Sequence, residues 1–365
     1  MLKHHCSISL FILSLGLGGV VVFGLLLAGC ATPTPTATPT VAPPTSTASP
    51  TATPTPVFPA GLPTPGPDQT VHITDHFVIY YTAEISPAQV ISVAHYLEAA
   101  WRDIPPFLGI EPPSRPIRVY MVLQMRTGVH GSASPTGVIL IKKSDLLANN
   151  DYSVVPHEFT HVLTGFSGPR WMEEGLAMYM QEQFPAGRYA GIDSISVDSW
   201  SIGLLASNRW VTLWNFPIGY PDRTPIANAF EEERAYWESG SFVKYLIETY
   251  GIDAFRKMHD DTSGWMAAEK VYGKPIDALV EEWRQHLANS TIPSQDCPEC
   301  IMGFSDWTDI EIQFDQHKDD LSSSAREQVL QELKAVYEAL NRKDAQAMRQ
   351  HIEAARKLLE ANINK

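Results

Sequence analysis

The pentad His157-Glu158-Phe159-Thr160-His161 is the part of this chain best suited to chemistry. On a helix, two histidines four residues apart project from one face about a turn from each other, so both imidazoles reach a single ion. Glu158 lies beside them, placed to act on a metal-activated water without being a ligand. The pentad alone is weak evidence, since His and Glu are common on solvated helix faces, and its flanks decide its weight. Asp151 is placed to cap the helix, Pro156 fits only its first turn, and Gly165 and Gly168 end it. Val155, Phe159, Val162 and Leu163 supply apolar faces.

A second helix follows Pro169, in the run Trp171-Met172-Glu173-Glu174-Gly175-Leu176-Ala177-Met178-Tyr179. One turn after His161, a short glycine-flanked reversal and just over one further turn make an antiparallel hairpin that returns Glu174 to the level of His161. His157, His161 and Glu174 with an open fourth position are the donor set of a catalytic zinc site, one ion per chain. Glu173 is the alternative third ligand, and otherwise a solvated or supporting carboxylate.

The pentad together with Trp171–Ala177 resembles the gluzincin metallopeptidases, most closely the bacterial peptidase MA-like domains. The resemblance runs on through AYWESGSFVKYL and YGKPIDALVEEW and covers roughly residues 70–290. It implies a thermolysin-like catalytic domain: a small mixed sheet, the helix of the pentad and a helical second half. It implies Glu174 as the third ligand and Glu158 as general base, acting on a peptide or protein substrate. It also implies that Tyr236 supports the oxyanion, unless a one-residue slip puts Trp237 there, and that strand 137–142 is an edge on which an extended peptide pairs. The branch resembling aminopeptidase N carries a G-x-M-E-N segment for the substrate amine, and none precedes HEFTH here, which favours endopeptidase action. The rival reading is a catalytically silent binding or adhesion protein of the same fold, although a retired site has no physical reason to keep Glu158.

The elements that must position these residues form an α+β pattern. Residues 71–82, with HFVIYY, read as a strand, as do 116–124 (PIRVYMVLQ) and 137–142. A helix is expected from Ser86 and Pro87 to about Ile104, with Val90, Val93, Leu97 and Trp101 on one face. Helices dominate from residue 151. Residues 69–292 form the expected catalytic domain. After it, 293–365 read as a connection through Cys297, Cys300, Gly303 and Phe304, then a helical hairpin of 322–340 and 343–361 packed on its own chain. Of the other histidines none has ligand spacing, and only His130, in a glycine-rich loop, is placed to line a cleft.

The N-terminal fifth of the sequence is of another kind. Residues 1–30 are apolar from Ile8 to Ala28 and end in Leu27-Ala28-Gly29-Cys30, which resembles the lipobox of bacterial lipoproteins. Cleavage before Cys30 and lipidation of its thiol are expected, a retained anchor helix being the alternative. Either tethers the body to a membrane outside the cytoplasm. Residues 31–68 are a Pro/Thr-rich linker whose polyproline II form, at about 3.1 Å per residue, reaches on the order of 100 Å. A net charge of −14 over 365 residues repels phosphate backbones, so nucleic acid is not an expected partner. In an exported chain the Cys297-x-x-Cys300 pair reads as a local disulfide.

Overall fold

The apolar runs read as strands form one mixed sheet of order β1-β2-β3-β5-β4. The computed structural model describes residues 63–125, 131–134, 136–143, 152–165, 168–184, 195–209, 229–261 and 263–363. The expected signal segment with Cys30, most of the linker, Asp151 and His130 lie outside the described residues. β1 (Gln69–Ile73) and β2 (Phe77–Thr82) are antiparallel; β2, β3 (Ile117–Val122) and β5 (Val138–Lys142) are parallel; β4 (Gly131–Ser134) runs antiparallel to β5.

Two sequence expectations are corrected by this sheet. Residues 71–82 are a hairpin, not a single strand: the Thr74 hydroxyl accepts from Phe77 N–H, and Thr74 N–H donates back to Phe77 O, closing a tight turn. The strand over 137–142 is not an edge, because β4 pairs along its free side with Ala133 opposite Ile139. The run Gly131-Ser132-Ala133-Ser134 has little intrinsic strand preference, so only its tertiary pairing makes it β.

Helix α1 (Pro87–Leu108) packs on this sheet through Val90, Val93, Leu97 and Ile104. Ser86 and Gln89 form a reciprocal capping box at its start. The helix runs four residues beyond the expected end, through Pro105 and Pro106. Burial of Ile104 and Leu108 offsets the lost amide bonds, and Gly109, in the left-handed region, closes the helix.

The site lies on the next two helices, α2 (Val154–Thr164) and α3 (Arg170–Gln183), which reverse at Gly165 and Pro169. Ser153 occupies the cap position of α2 without a side-chain cap bond. α4 (Val197–Ala206) and the long α5 (Ala229–Tyr250) follow. α3 and α5 approach closely because Gly175 has no side chain: a Cβ there would lie 2.5 Å from the Ser239 carbonyl oxygen and 2.7 Å from Val243 Cγ2. Lys244 on α5 bridges Glu182 on α3 and Asp198 on α4, at 2.5 and 2.9 Å. Burial alone would lower the Lys244 pKa, but the two carboxylates outweigh it and raise it. α6 (Ile252–His259), α7 (Ala268–Tyr272) and α8 (Ile276–Ala288) complete the main core, with Trp283 of α8 donating to Ser241 of α5.

The C-terminal segment departs from the expected connection plus hairpin. Residues Pro298–His317 are a full helix, α9, which buries Cys300, Ile301, Phe304 and Trp307. Proline at its first position and glycine at 303 read as breaks in the sequence, yet proline suits a helix start and Gly303 packs beside Met348. The expected hairpin is present as α10 (Ser323–Asn341) and α11 (Ala345–Ile363). Together the three helices enclose a second core that also contains Trp200 and Leu204 of α4 and Trp237 of α5. Cys297 and Cys300 are disulfide-bonded, as expected, and Cys297 Sγ lies 3.5 Å from the Lys343 carbonyl oxygen in the α10–α11 turn. The architecture is α+β, and among the described residues no helix is long and apolar enough to cross a membrane.

Candidate metal centre

The expected ligands converge. His157 Nε2 and His161 Nε2 are 3.3 Å apart, and Glu174 Oε2 lies 3.3 Å from the first and 3.1 Å from the second. All three residues are buried. These side chains are the group among the described residues able to hold a metal ion. Zinc bonds of about 2.0–2.1 Å in a tetrahedron separate neighbouring donors by about 3.3 Å, so the donor spacing fits that ion. The chemistry fits as well, since imidazole nitrogen and carboxylate oxygen are common zinc ligands.

Each donor is aimed by its element. The i, i+4 spacing on α2 brings the two imidazoles to one face, edge to face with ring centroids 5.0 Å apart. Thr160 and Thr164 turn their hydroxyls back onto the carbonyls of Pro156 and Thr160, away from the site. His157 Nδ1 lies 3.1 Å from Gln181 Oε1 on α3, so its N–H donates there and leaves Nε2 free to ligate. Burial pushes the Glu174 carboxyl up, but the facing imidazoles, His161 first, outweigh this and hold it well below the usual carboxylate range.

Glu173 goes elsewhere. Its Oε1 accepts from Gly168 N–H at 2.5 Å, closing the reversal into α3, and burial raises its pKa to about 7. Between the two adjacent glutamates the fold thus brings Glu174, not Glu173, to the histidines.

Glu158 is buried between α2 and the edge strand. The Ala133 backbone N–H donates to its carboxylate, and a Cβ on Gly131 would lie 2.6 Å from its Oε1. Burial raises its pKa to about 8, with His157 opposing and Glu174 adding to the rise.

Tyr236 is also at the site. Its ring centroid lies 6.1 Å from that of His157, and its hydroxyl accepts from Arg170 Nη2 at 3.0 Å. Trp237, the alternative, turns into the second core instead. Arg170 Nε lies 3.3 Å from Glu174 Oε1.

No family model matches this chain, and no curated protein sequence matches it significantly.

The sequence reading missed Arg170, Gln181 and the edge strand at 131–134. The first two carried a usable signal: they lie four residues before and seven after Glu174, on its face of α3. Among the described residues, other histidines make ion pairs away from the site, as in His76–Glu98 and His351–Glu332.

Proposed function

We propose that this chain is a zinc-dependent peptidase of the gluzincin kind, held outside the cytoplasm by a lipid on Cys30 and acting as an endopeptidase. The observation that carries the reading is the triangle of His157, His161 and Glu174 donor atoms, with edges of 3.1 to 3.3 Å and Glu158 beside it.

When bound there, zinc supplies a Lewis acid that polarises a peptide carbonyl and acidifies water. The protein's own groups do the rest. His157 and His161 would hold it through Nε2 and Glu174 through one carboxylate oxygen, so a bound divalent ion would keep net positive charge toward substrate. Glu158 takes a proton from the attacking water and returns it to the leaving amine nitrogen. Its burial beside His157, on the helix that carries both histidines, supports this role. Tyr236 donates its hydroxyl proton to the oxygen on which charge develops.

The edge strand supports a peptide substrate. Among the described residues β4 pairs with β5 alone, and the Ala133 N–H donates to the Glu158 carboxylate. An extended peptide pairing along β4 would lay its main chain beside the general base, without demanding particular side chains.

The direct test is metal content. Protein purified without added chelator should carry one zinc per chain, and His161→Ala should carry none while keeping its helical circular dichroism. Wild-type protein that takes up no stoichiometric zinc under metal-replete conditions would remove the basis of this proposal.

A further inference from the structure

We infer that Arg170 is a positioning residue for the metal site, one guanidinium that fixes both the Glu174 ligand and the Tyr236 hydroxyl. The inference rests on the peptidase reading for its catalytic half and on the donor triangle alone for its metal half.

Arg170 is the first residue of α3, one turn before Glu174, and its side chain is about four-fifths buried. Its Nε lies 3.3 Å from Glu174 Oε1, while Glu174 Oε2 is the oxygen facing both imidazoles. The carboxylate is thereby divided, one oxygen for the arginine and one for the ion. A carboxylate free to rotate would present either oxygen or both. Paired with the Arg170 charge through Oε1, it offers Oε2 to the imidazoles and loses less rotamer entropy on binding.

The same fork reaches α5. Arg170 Nη2 donates to Tyr236 Oη at 3.0 Å. Arginine cannot accept a hydrogen bond, so the tyrosine must be the acceptor in that pair. The guanidinium that faces Glu174 thus also sets where the Tyr236 oxygen lies, on a ring 6.1 Å from that of His157. A lysine could replace the charge but not both contacts, because its ammonium is a point donor without the planar fork.

The test uses the full chain in detergent and three variants: Arg170→Lys, Arg170→Met and Arg170→Met combined with Tyr236→Phe, with Tyr236→Phe alone as reference. Zinc affinity is measured by competition with a chromophoric chelator, and kcat and KM on a cleavable peptide. Arg170→Met should weaken zinc binding about tenfold or more, in line with other supporting partners of metal ligands. Arg170→Lys should recover most of the zinc affinity and little of kcat. The loss of kcat should reach about tenfold in Arg170→Met, with KM nearly unchanged, and the double variant should be no slower than Tyr236→Phe. Unchanged zinc affinity in both Arg170 variants, or kcat losses that multiply in the double variant, would overturn the inference. Should Arg170→Met fail to fold, Arg170→Lys still decides through its split between recovered zinc affinity and lost kcat. Wild-type protein that binds zinc yet cuts nothing would count against the peptidase reading, and the zinc titration would still decide the arginine's part.

Discussion

Trp237 stacks face to face on Trp200, with ring centroids 4.3 Å apart and planes 9° from parallel, while Tyr236, one residue earlier, faces the ring of His157. Successive helix positions differ in direction by about 100°, so α5 sends one aromatic ring to the metal site and the next to the C-terminal core. Phe304 of α9 packs edge-on against both tryptophans, at 4.8 and 5.1 Å. The C-terminal helices therefore fix the rotation of α5 and, with it, the place of Tyr236.

Trp237→Ala is accordingly expected to cost about 3–5 kcal/mol of stability, as for other buried large-to-alanine changes. Urea denaturation of the metal-free protein measures this. Any protein folded at low temperature should lose more in kcat than in zinc affinity. A chain ending at residue 292, which would expose Trp200, Leu204 and Trp237, should aggregate or fold only in part.

Gly175→Ala should separate α3 from α5, because the new methyl meets a backbone carbonyl that has no side-chain freedom to yield. A loss of about 1–3 kcal/mol is expected from such overpacking. Glu174 is the neighbouring residue, so zinc affinity should fall with it. Gly137→Ala, where a Cβ meets nothing within 4 Å but φ is +74°, serves as a control that costs stability without touching zinc binding.

The buried Glu158 makes metal-free stability depend on pH. Its folded pKa, about 8, lies above the ordinary 4.5, so the folded state binds the extra proton. The stabilisation is complete below about 4.5 and is lost as pH rises toward 8. Glu173, raised to about 7, acts in the same direction. Chelated wild-type protein should thus lose stability steadily from pH 4.5 to 8, and Glu158→Gln should show a shallower slope, Glu173 remaining. Thermal unfolding in EDTA across that range measures both slopes, and identical ones would place the ionisable cost elsewhere.

Gln181 holds the outer nitrogen of His157, so Gln181→Leu should weaken zinc binding about tenfold, within the range for such partners. Gln181→Glu should restore it, since a carboxylate accepts the same N–H.

The metal triangle was legible in the sequence because helical spacing is a local property: His157 and His161 are one turn apart in any α-helix, and one short glycine-flanked reversal brings Glu174 back. The choice of Glu174 over Glu173 was less accessible, as it depends on Glu173 closing the turn at Gly168. The edge strand stayed hidden since Gly131-Ser132-Ala133-Ser134 carries no β-branched or aromatic residue, and its pairing with β5 is tertiary. Helix α9 was hidden for a related reason. Pro298 and Gly303 look like breaks, and only the burial of Phe304 and Trp307 against other helices makes the segment helical. Arg170 and Gln181 lay in plain view on the face of Glu174, but nothing local tells a supporting side chain from a surface one.

The central claim is tested most directly by exposing a peptide library to zinc-loaded wild-type protein and to zinc-loaded Glu158→Gln, and identifying the products by mass spectrometry. The account predicts internal cuts by the wild type and a loss of at least about a hundredfold in the variant, with zinc content equal in the two. Equal cutting by both would deny Glu158 its role as base. Silence from both, with zinc bound and the protein folded, would contradict the peptidase reading and leave a metal-holding binding protein.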